Sequence, residues 1–141
     1  GKELNLEIDF RQSNIEGEMV DAIQSARGTA AGIIINAGAY SHTSIAILDA
    51  LLAVELPVIE VHLSNLFQRE SFRHHSFVSQ AAYGMICGLR GQGYTLALQA
   101  LSSILDKKKA FGIVYDGSWI DVGHPKGIDT ATKELLNNRN V

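Results

Sequence analysis

The sequence predicts an α/β protein: a flavodoxin-like three-layer sandwich built on a parallel sheet. Two observations carry this. Short apolar runs alternate with amphipathic segments of helical period, which is the pitch of successive βαβ units. The run AGIIIN at residues 31–36 is apolar throughout and rich in β-branched side chains, as a strand covered on both faces would be. Right-handed crossovers between such strands then place helices on both sides of the sheet.

The elements follow in order. Leu4, Leu6, Ile8 and Phe10 recur at period two and predict a half-buried strand. Met19, Val20, Ile23 and Ala26 recur at helical spacing, with Gly28 as the stop. Residues 31–36 are a strand, and residues 43–54 a helix with Ile45, Leu48 and Leu52 in its apolar stripe. Residues 57–63 (PVIEVHL) are the next strand and residues 84–88 (GMICG) a small one. Residues 94–108 form a helix whose basic end suits its C-terminal dipole. An apolar run at 111–115, a polar loop and a helix near 129–138 close the chain.

Composition bounds the function. A length of 141 residues fits one domain, and 46% apolar residues with two prolines exclude a disordered or collagen-like chain. A net charge of −3 removes the bulk electrostatic case for nucleic acid. The single cysteine, Cys87, leaves no disulfide framework and no Cys-rich zinc site, so a reduced, cytoplasmic setting is the default. The first ten residues alternate in polarity, unlike a secretory leader, and no apolar stretch is long enough to span a bilayer, so no membrane partner is expected. The run Lys107-Lys108-Lys109 reads as a solvated helix end rather than a binding patch.

Open α/β sheets bind ligands beyond the carboxyl ends of their strands, which makes polar residues there informative. One predicted strand ends at Asn36, another at His62 followed by Leu63 and Ser64. If the strands are parallel neighbours, Asn36 and His62 lie at one edge, within reach of one small molecule. Glu60 and His62 are two apart in a strand and share a face, where a carboxylate can hold the imidazole for general acid work. A histidine merely satisfied at a strand end explains the position equally well. His42 alone reads as a loop histidine. Ser64 and the amides around Leu63 suit an anion-binding corner, or else a plain turn or helix cap. Arg69 and Arg73 share one side of a helix at i, i+4, as a substrate grip or, more simply, as a surface ion pair. No histidine spacing fits a metal. The run GLRGQG at 88–93 lacks the Lys-Ser/Thr of a phosphate loop, and Cys87 reads as a core residue.

Five blocks, in order, resemble type II 3-dehydroquinate dehydratase. They are Gln12-Ser13-Asn14 with Glu16-Gly17-Glu18, INAGAYSHTS at 35–44, PVIEVHLSN at 57–65, RESFRHHS at 69–76 and GMICGLRGQGY at 84–94. The resemblance spans residues 3–106. It implies a flavodoxin-like fold assembled as a homo-oligomer, a dodecamer of trimers, and the third step of the shikimate pathway, with no metal or organic cofactor. In that reaction 3-dehydroquinate loses water to give 3-dehydroshikimate. A tyrosinate takes a proton alpha to the ketone, an enolate forms, and a histidine protonates the departing hydroxyl. By position in the motifs His62 is similar to that acid, with Glu60 supporting it. Asn36 matches the residue that binds substrate and holds the water facing the enolate oxygen. Leu63 and Ser64 match the carboxylate corner, and His42 and Arg73 the binders of ring hydroxyls. Asp49 resembles the residue offered to a neighbouring subunit's site, although its own position reads as an exposed helix carboxylate.

The family opens with a strand and a lid that carries an arginine and the catalytic tyrosine. Nothing before Leu4 matches them, so the base is unassigned and activity is expected to be impaired. Tyr40, Tyr83 and Tyr94 lie in other family blocks. The tail, residues 107–141, is foreign to the family. Its GSWIDVGHPKG at 117–127 weakly resembles the end of a sugar-phosphate nucleotidyltransferase core, where the residue matching Asp121 helps hold magnesium. The single-domain reading has this strand-loop-helix tail fill the vacant sheet position. The rival reading is a non-catalytic recombined scaffold that keeps an anion pocket.

Overall fold

The computed structural model describes Leu4 and residues 6–105. The chain divides into two units, Gly1–Ala110 and Phe111–Val141, and the described residues lie in the first. The expected tail elements, and the idea that they complete the sheet, lie outside the described residues.

Among the described residues three strands, β1 (Ile33–Ile35), β2 (Val58–His62) and β3 (Gly84–Cys87), form a parallel sheet in that order. Three helices cover it: α1 (Glu16–Ser25), α2 (Ile45–Val54) and α3 (Gln92–Leu105). Short 3-10 turns at Gly38–His42, Leu66–Gln68, Ser71–His74 and Val78–Gln80 fill the connections. Alternation along β2 sorts its side chains into two layers. Val58 packs with Ile23 of α1, Ile47, Leu51 and Val54 of α2, and Val78. Ile59 and Val61 turn the other way, onto Ala97 and Leu101 of α3. Each fully buried Ile, Leu or Val contributes about 1.5–3 kcal/mol of transfer free energy. Glu60 and His62 continue the Val58 row, so two polar groups emerge from an apolar layer near the carboxyl end of β2.

Several expectations are corrected. Residues 6–10 carry no strand, and Ile8 and Phe10 are 51% and 82% exposed. Period-two alternation makes a strand only beside an available edge, and among the described residues nothing pairs with this segment. The strand buried end to end is the central β2, whereas Ile33 and Ile34 of β1, which among the described residues pairs only with β2, are partly covered. Helix α2 starts at Ile45, capped by Ser44, whose Oγ accepts from the Ile47 amide at 2.9 Å. Its buried face is Ile47, Leu48, Ala50, Leu51 and Val54, while Ile45 and Leu52 point outward. A helix that is apolar almost all round does not announce its inward side.

Candidate active site

The site forms where β1 and β2 end together. Parallel pairing sets Ile35 beside Glu60, so Asn36 and His62 emerge at one rim. A cavity of about 210 Å³ opens there, lined by Asn36, His42, His62, Leu63, Ser64 and Arg73, with Gly38, Ala39, Leu66 and Arg69 completing the wall.

Asn36 is held at both ends of its amide. Its Oδ1 accepts from the Gly38 amide at 3.2 Å, and its Nδ2 donates to the Tyr94 hydroxyl at 2.9 Å. One Nδ2 hydrogen remains for a ligand. Gly38 sits at φ 58°, a conformation that favours glycine, and opens the turn that carries His42 to the cavity. His42 Nδ1 lies 2.8 Å from the His75 carbonyl oxygen, an acceptor only, so Nδ1 carries the proton and Nε2 is the acceptor. The ring stacks on His62, with centroids 6.1 Å apart and planes 14° from parallel.

His62 and Glu60 are buried, and His62 Nε2 lies 2.7 Å from Glu60 Oε1. Ser76 Oγ donates to the same oxygen at 2.6 Å, and Ser79 Oγ donates to Oε2. Burial alone would push the Glu60 carboxyl up. The hydrogen bonds from His62, Ser76 and Ser79, with the attraction of the imidazole, outweigh it and hold the group below the ordinary carboxylate range. An ionised Glu60 accepts and cannot donate, so His62 Nε2 carries a proton and Nδ1 is the ring nitrogen left for the cavity.

Leu63 and Ser64 follow β2 directly, and the Ser64 hydroxyl has no hydrogen-bond partner among the described residues. Arg73 Nε donates to Glu70 at 2.8 Å, and the Arg73 guanidinium carbon sits 5.1 Å from the centroid of the Phe72 ring. Arg69 and Arg73 do not share a helix as expected. Arg69 ends one 3-10 turn and Arg73 lies in the next, yet both line the cavity and both reach Glu70. Glu70's own amide and Arg73 hold its carboxyl low. Asp49 stands apart from the cavity, on the exposed side of α2. Among the described residues no group of three His, Cys, Asp or Glu side chains is placed to hold a metal ion. The glycine-rich segment turns β3 into α3: Gly88 adopts φ 87°, and Gly93 lies so close to Val61 that an added Cβ would stand 3.3 Å from its Cγ1.

Sequence reasoning missed Ser76, Ser79 and Tyr94 as partners of Glu60 and Asn36. The signal for the serines was Glu60 itself, since a carboxylate inside an apolar strand demands donors from elsewhere.

The family model described as class II dehydroquinase matches residues 1–102. The chain is 60% identical over 105 residues to a protein of Pseudomonas putida named 3-dehydroquinate dehydratase 2, covering 74% of this chain and 70% of that one. It is 64% identical over 106 residues to a 3-dehydroquinate dehydratase of Mesorhizobium japonicum, covering 74% of each. Among solved structures, a type II dehydroquinase from Propionibacterium acnes superimposes with a TM-score of 0.69 at 45% identity, covering 72% of this chain and 70% of that one.

Proposed function

The chain belongs to the class II dehydroquinase family, and from that premise we propose how its residues carry the dehydration of 3-dehydroquinate to 3-dehydroshikimate. The activity is that of a hydro-lyase. His62 is the general acid for the departing hydroxyl. Its Nδ1 faces the cavity, and the Glu60 carboxylate behind Nε2 stabilises the imidazolium before transfer and fixes the tautomer after it. Asn36 binds the ring and holds the water that faces the enolate oxygen. Its amide orientation, locked by Gly38 and Tyr94, supports that role. Leu63 and Ser64 take the substrate carboxylate. Arg73, through nitrogens not engaged by Glu70, and His42, through Nε2, bind ring hydroxyls.

The protein works as a homo-oligomer, a dodecamer of trimers, in which Asp49 reaches a neighbouring subunit's site. The exposed face of α2 supports this, because Ile45 and Leu52, 58% and 54% exposed, flank Asp49 at helical spacing. No described helix is long and apolar enough to cross a membrane. A cytoplasmic setting accords with the free Cys87 thiol.

The observation that carries the reading is the buried His62–Glu60 pair opening onto the same cavity as Asn36, Ser64 and Arg73. The test follows enone formation from 3-dehydroquinate by ultraviolet absorbance, with His62→Ala alongside. Turnover by the full chain that His62→Ala abolishes, while calorimetry still detects bound substrate, is the expected result. No turnover by the full chain, or an unchanged rate in His62→Ala, overturns it.

A further inference from the structure

We propose that Ser76 and Ser79 are positioning residues of this reaction: their hydroxyls clamp the Glu60 carboxylate bare of a proton and so decide which nitrogen of His62 carries the ring hydrogen. The inference rests on the reading of His62 as the general acid. Among the described residues Glu60 is the only buried acidic side chain. A carboxylate in that position ordinarily escapes the cost of burial by taking up a proton. A protonated Glu60 would itself become a donor, and His62 Nε2 would have to accept from it. The imidazole hydrogen would then move to Nδ1 in the neutral ring, the opposite of the arrangement that receives and returns a proton at the cavity.

Two hydroxyls remove that option. Ser76 Oγ shares Oε1 with His62, and Ser79 Oγ takes Oε2. Both reach Glu60 from a different stretch of chain, 16 and 19 residues further on. That stretch is pinned in place. The Phe77 amide donates to the Ser41 carbonyl at 2.7 Å, Ser79 N donates to Ser76 Oγ at 3.3 Å, and Val78 is fully buried between sheet and α2. The groups facing Glu60 from its other neighbours do not compete. Its register partners on β1 and β3 are Ile35 and Met85. In the Gly38–His42 turn the Ser41 hydroxyl is buried and has no hydrogen-bond partner among the described residues. The acidic groups of α2 and its cap, Asp49 and Glu55, are exposed, Arg73 is bound to Glu70, and His42 lies beyond His62 in the ring stack. With full acceptance at both oxygens the carboxyl stays ionised, in keeping with its lowered pKa.

The test uses the full chain, its Ser79→Ala and Ser76→Ala variants, and Ser79→Thr, which restores a hydroxyl. Two readouts are taken: the pH profile of kcat, and nitrogen NMR shifts of the His62 ring. Loss of a donor favours the protonated carboxyl, so the acid limb of kcat in Ser79→Ala moves up by about one pH unit, equivalent to about tenfold in rate on that limb. KM stays within about twofold, because neither serine lines the cavity. Over the same pH range the His62 proton shifts from Nε2 to Nδ1, and Ser79→Thr returns both readouts toward the parent. If both alanine variants keep the parent's profile and ring shifts, the clamp is wrong. If the parent makes no enone yet the alanine variants shift the ring signals, the clamp stands and the dehydratase reading of this chain falls. If Ser79→Ala does not fold, Ser76→Ala, which leaves Oε2 occupied, decides the matter by the same two readouts.

Discussion

Replacing Glu60 by glutamine keeps the shape of the side chain and removes its charge. Glu60 accepts from His62, Ser76 and Ser79 and is wholly buried, so nothing in solvent compensates. A glutamine offers one acceptor oxygen and one donor amide in place of two acceptor oxygens. If its oxygen keeps the side shared by His62 and Ser76, its amide turns to Ser79, whose hydroxyl can rotate to accept. If it turns round, the amide meets His62 Nε2–H head on and forces the other tautomer. In the first pose the imidazolium keeps a hydrogen bond but loses its partner's charge, and in the second it loses the bond outright; the interaction with the charged group is worth about 1.5–3 kcal/mol. If that whole amount is lost from the transition state, kcat falls about tenfold to hundredfold. KM is expected to stay near the parent value, because Glu60 does not line the cavity. Initial rates of enone formation across a range of substrate concentrations separate the two constants, and the thermal unfolding midpoint checks that the variant is folded. A folded Glu60→Gln enzyme with kcat within about twofold of the parent, or with only KM altered, would show that the Glu60 charge does not act on the transition state.

Three further outcomes are expected. Tyr94→Phe removes the hydroxyl that accepts from Asn36 Nδ2, a bond with a net worth of about 1 kcal/mol, so inhibitor affinity measured by calorimetry is expected to fall about fivefold. Unchanged affinity would mean that Gly38 alone orients the amide. The Glu60 carboxyl is held low in the folded chain, so the stability it contributes is complete above its unfolded pKa and is lost as pH falls through the lower folded value. Urea midpoints measured down through that acid range should therefore fall more steeply for the parent than for Glu60→Gln, and parallel curves would contradict this. Ser44→Ala removes the cap on α2 and should cost about 1 kcal/mol in denaturant titration, with Ser44→Asp retaining most of it.

The parts of the site legible in sequence were those set by β geometry. A parallel sheet brings strand ends to one rim, so Asn36 and His62 could be placed together from two apolar runs and the residues that stop them. Glu60 and His62 shared a face by period two alone. What escaped depended on long-range contacts. Ser76 and Ser79 look like ordinary loop serines until the chain folds them over a buried carboxylate, and Tyr94 meets Asn36 across 58 residues. The inward face of α2 was misjudged because IAILDALLAV is apolar on nearly every side, so packing rather than periodicity chose which side was covered. Residues 4–10 alternate like a strand, but alternation states only that one face is fit for burial. Exposed Phe10 shows that a neighbour is also required.

The proposed mechanism turns on His62, oriented by Glu60, presenting Nδ1 to a substrate ring held by Asn36, Ser64 and Arg73. A crystal structure of the full chain with a dehydroquinate-like competitive inhibitor would reveal that arrangement. The inhibitor carboxylate is expected at Ser64 and the hydroxyl that would depart within about 3.2 Å of His62 Nδ1, with Glu60 still on Nε2. An inhibitor bound away from this cavity, or one seated there with His62 Nε2 turned toward it and Glu60 released, would contradict it.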